Sequence, residues 1–432
     1  MNALPDGPDM GRLAGTVAFH RDPLGFLRGC QREFGDVFTI RLTTVGQVVA
    51  VCDPSAVKAL AHSDPGRGRA GQARRGVLPM ASPLSIFGAD GAEHHAARER
   101  VAAAFAPAAV DQSAAAIMQL IERHVGGWPR GRPTRLLPRM RGLADEIFVR
   151  EVLGVDGARA AALVHAIGRM LWTPGNPPVT IPGPEDGLLG RFVDLLYRRR
   201  RAAIARAIEP ELEQRRARGE TGRGVLGQLI AAEPSRDDAR VVDELLALLM
   251  AAQEPMAAAL TWLALRLGSE HEARSRLLDE GCDGPFAHAV IAETLRLHPP
   301  AVAMLRRSSG PVDLAGVRLP AGTSIMAPIP LLHRDRRRFA EPERFMPERH
   351  LGGAEPGTTW PFGEGARSCI GQALARTQLG LLLKALLAQV TVTTFGPQPE
   401  RMVLRATILV PQRSGTVMLG GGARRHRRRE PV

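Results

Sequence analysis

A short glycine-rich segment near the C-terminus offers the most chemistry in the chain. It reads PFGEGARSCIG over residues 361–371. Because glycine lacks a Cβ, these glycines let the backbone pass close to a large, flat group. Cys369 directly precedes a predicted helix, and both the helix N-terminus and the neighbouring Arg367 favour a thiolate over a thiol. On spacing alone two interpretations stay open: a ligand for a soft metal, or a buried structural cysteine.

Other candidate residues are polar or charged side chains at helical spacing. Glu293 and Arg296 are three residues apart, and His94 and Arg98 are four apart, so each pair shares one face of a helix. The Glu-x-x-Arg spacing recurs elsewhere in the chain and carries little information by itself. The apolar segment 245–265 is interrupted at its centre by Gln253, Glu254 and Pro255, which indicates a helix buried in protein rather than a membrane span.

The elements that would position these residues are mostly helices. Apolar residues recur at helical spacing through much of the chain, and glycine or proline punctuates the segments. Predicted helices cover roughly 91–106, 109–126, 138–153, 157–171, 188–216, 223–232, 239–267, 270–280, 285–297 and 371–389. The fold class is therefore mainly α with small β-sheets, and no regular strand–helix alternation supports a Rossmann fold or a TIM barrel.

The remaining segments are shorter. VFTIRL and QVVAVC are rich in β-branched residues and predict a hairpin. Residues 1–22 are expected to form a loose leader, and 63–83 a long loop. Short strands follow residue 298, and the basic tail 420–432 is expected to be disordered. We therefore expect a single domain over residues 23–419, in which the helix 239–267 and the loop 361–371 contain the main candidates.

Composition excludes several classes of protein. Of 432 residues, 44% are hydrophobic and 23% are charged, which is typical of a globular chain. The net charge of +13 rests almost entirely on arginine, five of which lie at 424–429, and only 4% of residues are aromatic, so nucleic acid is not expected as a partner. Four cysteines without paired spacing argue against a disulfide framework or a zinc site. The N-terminus lacks an apolar run, so we expect no membrane anchor and a cytoplasmic location.

The cysteine segment resembles the haem-binding loop of the cytochrome P450 superfamily, whose pattern is Phe-x-x-Gly-x-Arg-x-Cys-x-Gly. Every fixed position is matched here, and further landmarks occur in the expected order over about residues 20–419. The resemblance implies the cytochrome P450 fold and haem b as cofactor, with Cys369 as the proximal iron ligand. Phe362 would pack beside the sulfur, Gly371 would complete the loop, and Arg367 would pair with a haem propionate.

The resemblance also implies roles for the charged pairs. His94 and Arg98 resemble the family's helix that reaches the haem propionates, and Arg306 occupies another propionate-contacting position, with Arg307 as an alternative. Glu293 and Arg296 precede HPP and match a buried pair that supports the ligand loop. Arg344, from the sequence PERF, would be the third member of that set.

The chain departs from the family on the helix expected to cross the distal face of the haem. The usual small pair is kept as Ala251 and Ala252, and the usual acid as Glu254, but Pro255 replaces the usual threonine. Proline supplies no hydroxyl and lacks an N–H, so it can kink the helix. Three alternatives stay open: a water or substrate hydroxyl completes the proton relay, the enzyme uses peroxide or isomerises an oxidised substrate, or the protein binds haem without turnover.

The expected substrate is a lipophilic small molecule, with a terpenoid-like natural product of secondary metabolism as the preferred class. Expected pocket walls are mainly aliphatic with two aromatic residues: Phe87, Trp172, Met256, Val302, Met304 and Ile408. The expected reaction is hydroxylation or epoxidation with O2. Because no electron-transfer domain is attached, electrons would come from a separate ferredoxin and ferredoxin reductase, drawn to a basic proximal face that includes Arg376. A monomer is expected.

Overall fold

The computed structural model of the chain describes residues 4–43, 45–63, 66, 68–77, 81–171, 188–219, 224–232, 238–352, 359–395 and 400–421. Helices form most of it. Their bounds are Arg12–Arg21 (α1), Pro23–Phe34 (α2), Pro54–His62 (α3), Ala70–Arg75 (α4), Gly91–Ala102 (α5), Pro107–Gly126 (α6), Leu136–Ile147 (α7), Gly157–Leu171 (α8), Leu188–Ala217 (α9), Gly224–Ala232 (α10), Asp238–Ser269 (α11), His271–Glu280 (α12), Pro285–Leu297 (α13), Ile329–Leu332 (α14) and Gln372–Gln389 (α15).

Strands are short and, in the part of the chain that the structure describes, form four small sheets. Their bounds are Val37–Leu42 (β1), Gly46–Val51 (β2), Gly68–Arg69 (β3), Pro133–Arg135 (β4), Ala303–Ser308 (β5), Val312–Leu314 (β6), Val317–Leu319 (β7), Ser324–Pro328 (β8), Val390–Thr394 (β9), Met402–Arg405 (β10), Ile408–Pro411 (β11) and Thr416–Gly421 (β12). The largest sheet has the order β1-β2-β8-β5-β3, in which only β2 and β8 run parallel. The predicted β1–β2 hairpin is confirmed, with Val37 opposite Val51.

Local sequence explains where several helices begin. Asp22 precedes α2, and its carboxylate accepts a hydrogen bond from the N–H of Gly25 at 2.9 Å. Asp53 caps α3 in the same way, through the N–H of Ala56 at 2.8 Å. Proline follows each aspartate, and this is the position where its missing N–H costs nothing.

A large helical core and two smaller clusters hold these elements together. The largest hydrophobic cluster joins α5–α8, α9–α13 and α15, and Trp262 of α11 is fully buried in it. A second cluster lies between α1, α2 and the largest sheet, and a third contains residues of α3, β2, β6 and β7. The helix α11 is long and apolar enough to span a membrane, but 72% of its most apolar stretch is buried inside the fold, as expected for a core helix.

Two segments expected to be irregular contain helices. The prediction of a loose leader over 1–22 is wrong for residues 12–21, which form α1, where Phe19 is buried in the second cluster. The expected loop 63–83 contains α4 and β3, and its residues 64, 65, 67 and 78–80 lie outside the described part of the chain. In both cases packing on the sheet supplies the stability that the short, polar sequence lacks.

Candidate active site

The Cys369 loop is tightly bound to the rest of the protein. The N–H of Cys369 donates to the carbonyl of Phe362 at 2.8 Å, which closes the loop just before α15. Gly365 has a φ of +71°, and a Cβ there would lie 2.6 Å from the carbonyl oxygen of Ala61 in α3. Only glycine fits this position, so the loop rests on α3 through bare backbone.

The thiol of Cys369 is exposed, but it does not lie on an open outer surface. Burial raises the pKa of the Cys369 thiol above its usual value, and the N–H of Gly371 and the positive charges of Arg98 and Arg74 offset only part of that rise. Cys369 is thus accessible on one side and surrounded by protein on the others. Because a thiol must lose its proton to bind a metal, the nearby arginines favour the form that binds. A Cβ at Gly371 would lie 3.9 Å from the sulfur, an ordinary van der Waals distance, so Gly371 directly adjoins the thiol.

Helix α11 also has an accessible stretch inside the core. Ala251 is exposed and Ala252 is half-buried, whereas the helix from Met256 to Leu265 is buried. Pro255 lies within the helix, one turn after Ala251 and on the same face. Because proline has no N–H, the carbonyl of Ala251 receives no helical hydrogen bond. The exposed Ala251, with a carbonyl that lacks its usual helical donor, makes this part of α11 accessible to other molecules.

Basic side chains lie next to the Cys369 loop. Arg98 donates to the carbonyl of Ser368 at 2.8 Å. His94 is buried one turn earlier; burial first, then the charges of Arg367, Arg74 and Arg98, lower its pKa to about 4, against an opposing effect of Asp90. His94 is therefore neutral at pH 7. His94 and Arg98 therefore lie together on α5 beside the Cys369 loop, and their contact with the haem propionates stays a prediction.

Arg306 and Arg367 are also buried. Arg306 of β5 is 2% exposed, whereas Arg307 is exposed, as strand alternation requires, so the inward-facing arginine is Arg306. Arg367 donates to Asp90 at 2.8 Å and to the carbonyl of Ala89 at 2.7 Å. Sequence reasoning missed Asp90, which also accepts the N–H of Gly71 and thus ties the Cys369 loop to α4.

Glu293 is the centre of a buried cluster of charges. Its carboxylate accepts two hydrogen bonds from Arg296, at 2.7 and 2.8 Å, and both side chains are fully buried. It also accepts bonds from Arg349 at 3.0 Å, from His350 at 2.9 Å and from the N–H of Met346 at 2.9 Å. Burial raises the pKa of Glu293, but these donors outweigh it and lower the pKa to about 2. We call these five groups the Glu293 cluster.

The prediction that Arg344 is the third charged member is wrong. Its side chain is 67% exposed and pairs with Glu341, while only its carbonyl reaches Arg296. The third charged member is instead Arg349, whose side chain is 12% exposed. Two Pro-Glu-Arg sequences follow each other over residues 342–349. The 3₁₀ turn Pro347–His350 directs the second one towards Glu293.

The carboxylate of Glu254 is bound by another side chain, so it is not the free acid that the expected role requires. Both of its oxygens accept hydrogen bonds from Arg141 of α7, the Nε bond measuring 2.8 Å. The adjacent Gln253 is buried and donates to Asp145, one turn further along α7. Two polar contacts therefore join α7 to α11 beside Pro255. An acid inside an apolar helix indicates a basic partner, but the sequence does not say which of its many arginines that is.

The expected pocket residues lie in different environments. Phe87 is half-buried under the guanidinium of Arg74, 4.3 Å from the ring centre. Met256 and Ile408 pack on the largest cluster, and Met304 approaches Gly363. Val302 is buried in the second cluster, so it contributes to core packing rather than to an open wall. Trp172 lies outside the described residues.

These features fit the haem that the resemblance implies. An exposed but crowded thiol, an accessible small pair on α11 and buried cations near the Cys369 loop supply a soft ligand, space and partners for carboxylates. The loop and α11 border the same hydrophobic cluster, which supplies apolar contacts for a flat macrocycle.

Comparisons with known proteins agree with this interpretation. The family model described as Cytochrome P450 matches residues 5–419. Cytochrome P450 135B1 of Mycobacterium tuberculosis is 29% identical, covering 96% of this chain and 91% of the relative; cytochrome P450 135A1 of the same organism is 28% identical, covering 96% and 95%. A solved structure described as retinoic acid bound cyanobacterial CYP120A1 superposes with a TM-score of 0.81 at 23% identity, covering 97% of this chain and all of that one.

Proposed function

We propose a specific function on the premise that this chain belongs to the cytochrome P450 family, and is thus a monooxygenase that binds haem b and uses O2 with electrons from a redox partner. The proposed reaction is hydroxylation or epoxidation of a lipophilic small molecule in secondary metabolism. The observation that carries it is the accessible Cys369 thiol enclosed by protein at the start of α15.

Cys369 is the proposed iron ligand, and Phe362 and Gly371 shape its surroundings. The bound haem supplies the iron that activates dioxygen. Phe362 holds the Cys369 N–H through its carbonyl, and the guanidinium of Arg376 lies 5.3 Å from its ring. The loop thus fixes where the sulfur lies before any cofactor arrives, which is the support that a metal ligand requires.

The buried cations are the proposed partners of the haem propionates. Arg98 and Arg306 offer guanidinium groups that match carboxylates, and neutral His94 offers one N–H. Arg367 shares its guanidinium with Asp90, so its contribution to a propionate is smaller than the resemblance suggests. Two propionates near His94 would raise its pKa, since negative charge favours the protonated imidazole.

The residues of α11 at the proposed distal face determine the space for dioxygen and the source of the protons. Ala251 and Ala252 leave room for dioxygen, and Pro255 removes the hydroxyl that the family usually places there. Converting R–H and O2 to R–OH and water requires two electrons and two protons. Glu254 is bound by Arg141, so the proposed proton donor is a water or a substrate hydroxyl that the free carbonyl of Ala251 holds in place.

Several observations support an apolar substrate and separate electron donors. Met256 and Ile408 are aliphatic, and the cyanobacterial structure is described as binding retinoic acid, an apolar molecule with a terpenoid skeleton. On the proximal side, Arg376 is exposed beside Phe362, which favours an acidic partner such as a ferredoxin. Arg98 and Arg367 are too enclosed to add to that surface. A cytoplasmic monomer served by a ferredoxin and its reductase completes the proposal.

A labelling experiment tests the reaction. A panel of terpenes is first screened against the ferric protein for displacement of iron-bound water, seen as a Soret shift. The strongest binder is then incubated under ¹⁸O₂ with ferredoxin, ferredoxin reductase and NADPH. The proposal predicts one ¹⁸O atom in the product and NADPH consumed with it. Product formed only in a parallel reaction with unlabelled hydrogen peroxide, and none with the electron chain, would contradict it.

A peroxide-using enzyme is the second candidate, and Pro255 is the observation that favours it. Without the distal hydroxyl and with Glu254 held by Arg141, the chain supplies few protons for dioxygen cleavage. Hydrogen peroxide already carries both protons and both electrons, because R–H and H2O2 give R–OH and water directly. The peroxide arm of the same experiment measures this route. A haem protein without turnover finds no support in the family assignment.

A further inference from the structure

We propose that Arg405 binds the carboxylate of an apolar carboxylic acid, which makes such acids the preferred substrate class; this inference rests on the proposed function. Arg405 lies at the end of β10, and the turn Ala406–Thr407 links it to β11. We call the group formed by Arg405, Arg141 and Glu254 the distal recess. None of these arginines belongs to the residues assigned above to haem.

The hairpin β10–β11 places Arg405 beside an expected pocket wall. Arg405 is paired with Ile408 across the hairpin, and Ile408 packs on the largest hydrophobic cluster. The preceding Leu404 is buried in the second cluster, so strand alternation sends the side chain of Arg405 to the opposite face. A bridge between Ala301 and Ile408 ties this end of the hairpin to the segment after α13.

The charges in the distal recess do not cancel. Arg141 and Glu254 neutralise each other through their two hydrogen bonds. Strand β11, whose Ile408 is paired with Arg405, packs against α11, which carries Glu254. Arg405 lies within electrostatic reach of Arg141 and Glu254, and its positive charge is the one left over. No hydrogen-bond acceptor for the Arg405 guanidinium is found among the residues that the structure describes. One uncompensated positive charge matches one carboxylate.

The surroundings of Arg405 favour an anion over water. Its side chain is accessible, yet burial lowers its pKa, and Arg141 lowers it further against the opposing effect of Glu254. Arg405 therefore has protein on one side and is accessible on the other. A guanidinium that is incompletely hydrated gains most from a bidentate carboxylate.

The neighbouring residues indicate what is attached to that carboxylate. Ile408 lies opposite Arg405, and Pro255 adjoins Glu254 on α11 beside the accessible Ala251. These side chains are apolar, so the remainder of the molecule would be hydrocarbon. Glu254 alone would repel an acid, but its pairing with Arg141 removes that objection. An acid held here would place its hydrocarbon part beside the accessible face of α11.

Matched ligands and variants test this inference. Dodecanoic, hexadecanoic and retinoic acids and their methyl esters are titrated calorimetrically into the holoprotein, and Soret shifts are recorded in parallel. The wild type should bind at least one acid about tenfold or more tightly than its ester. Arg405→Gln should abolish that preference and leave ester binding within about twofold, and Arg405→Lys should restore part of it. Arg401→Gln, an exposed arginine just before β10, is the control and should change nothing.

Each result has a clear meaning. An equal loss of acid and ester binding in Arg405→Gln, or no acid–ester preference in the wild type with any of these ligands, would overturn the inference. The ferrous carbon-monoxide spectrum of the same preparation tests the proposed function separately. A red-shifted Soret band without acid preference rejects only the role of Arg405, whereas an acid preference without that band rejects only the haem-thiolate assignment.

Discussion

The Glu293 cluster and the distal recess both hold a carboxylate against arginines, but one is closed and the other is open. Glu293 is fully buried and accepts hydrogen bonds from three side chains and a backbone N–H. Glu254 is 16% exposed and accepts hydrogen bonds from Arg141. Arg405 lies nearby, and its guanidinium has no hydrogen-bond acceptor among the described residues. A saturated cluster supports structure because nothing further can bind. A cluster with a donor that lacks an acceptor can still bind a ligand, as the proposed role of Arg405 requires.

The largest expected effect distinguishes the two Pro-Glu-Arg sequences at the Glu293 cluster. Arg349→Ala should lower the free energy of unfolding by about 3–5 kcal/mol, because it leaves a buried carboxylate short of a partner. Arg344→Ala should change it by less than about 0.5 kcal/mol, since that side chain is exposed. Urea denaturation of the holoproteins measures both values. A loss for Arg344→Ala as large as that for Arg349→Ala would show that the cluster is assigned wrongly.

A pH effect of intermediate size comes from Glu244, a buried acid of α11. Its carboxylate accepts the N–H of Ile86 at 3.0 Å. Burial raises its pKa from 4.5 to about 7, against the lowering effects of the Ile86 N–H, Arg100 and Arg240; Glu93 adds to the rise. Between about pH 4.5 and 7 the folded state therefore keeps a proton that the unfolded state releases, so stability falls as the pH rises through this window and then levels off.

Glu244→Gln tests that effect. The amide oxygen can still accept the N–H of Ile86 but carries no charge at any pH. At pH 8 the variant should be more stable than the wild type by about 2 kcal/mol, and the difference should disappear near pH 5. Thermal unfolding across this range gives the answer. A difference that is independent of pH would mean that Glu244 does not titrate in this window.

A smaller effect should follow from restoring the missing hydroxyl at the open site. Pro255→Thr returns both an N–H for the Ala251 carbonyl and an alcohol for proton transfer, whereas Pro255→Ala returns only the N–H. The threonine variant should raise the yield of product per NADPH about tenfold over the alanine variant. Equal yields from the two variants would place the proton relay elsewhere.

The smallest effect concerns Glu254 itself. Glu254→Gln removes the charge that neutralises Arg141, so the distal recess becomes more positive. Affinity for an apolar acid should rise about threefold, while affinity for the methyl ester stays constant. Calorimetric titration at low and high salt measures this, and the gain should shrink as salt increases. A weaker affinity for the acid would show that Glu254 positions Arg141 rather than opposing the ligand.

Sequence patterns predict the long helices and the Cys369 loop better than they predict the partners of individual charged residues. The predicted helices lie within a few residues of observed ones because apolar periodicity reports burial, whereas the short helices α1, α3, α4 and α14 were not predicted. The Cys369 loop was found because its glycines and cysteine are fixed in spacing. Arg349 was missed because Pro-Glu-Arg occurs twice over residues 342–349, and only the 3₁₀ turn Pro347–His350 brings the second arginine to Glu293. The partner of Glu254 lies 113 positions away on α7, and α1 depends on a sheet built from distant strands. Such contacts are decided by tertiary packing, which a single sequence does not encode locally.

The ferrous carbon-monoxide spectrum of the reconstituted protein tests the central claim most directly. Wild-type protein and the control Cys282→Ala, a half-buried cysteine on the turn after α12, should both show the red-shifted Soret band of a thiolate-bound iron. Cys369→Ala should lose that band. If the red-shifted band persists without the Cys369 sulfur, or never forms in the wild type, another group holds the iron and the account is wrong.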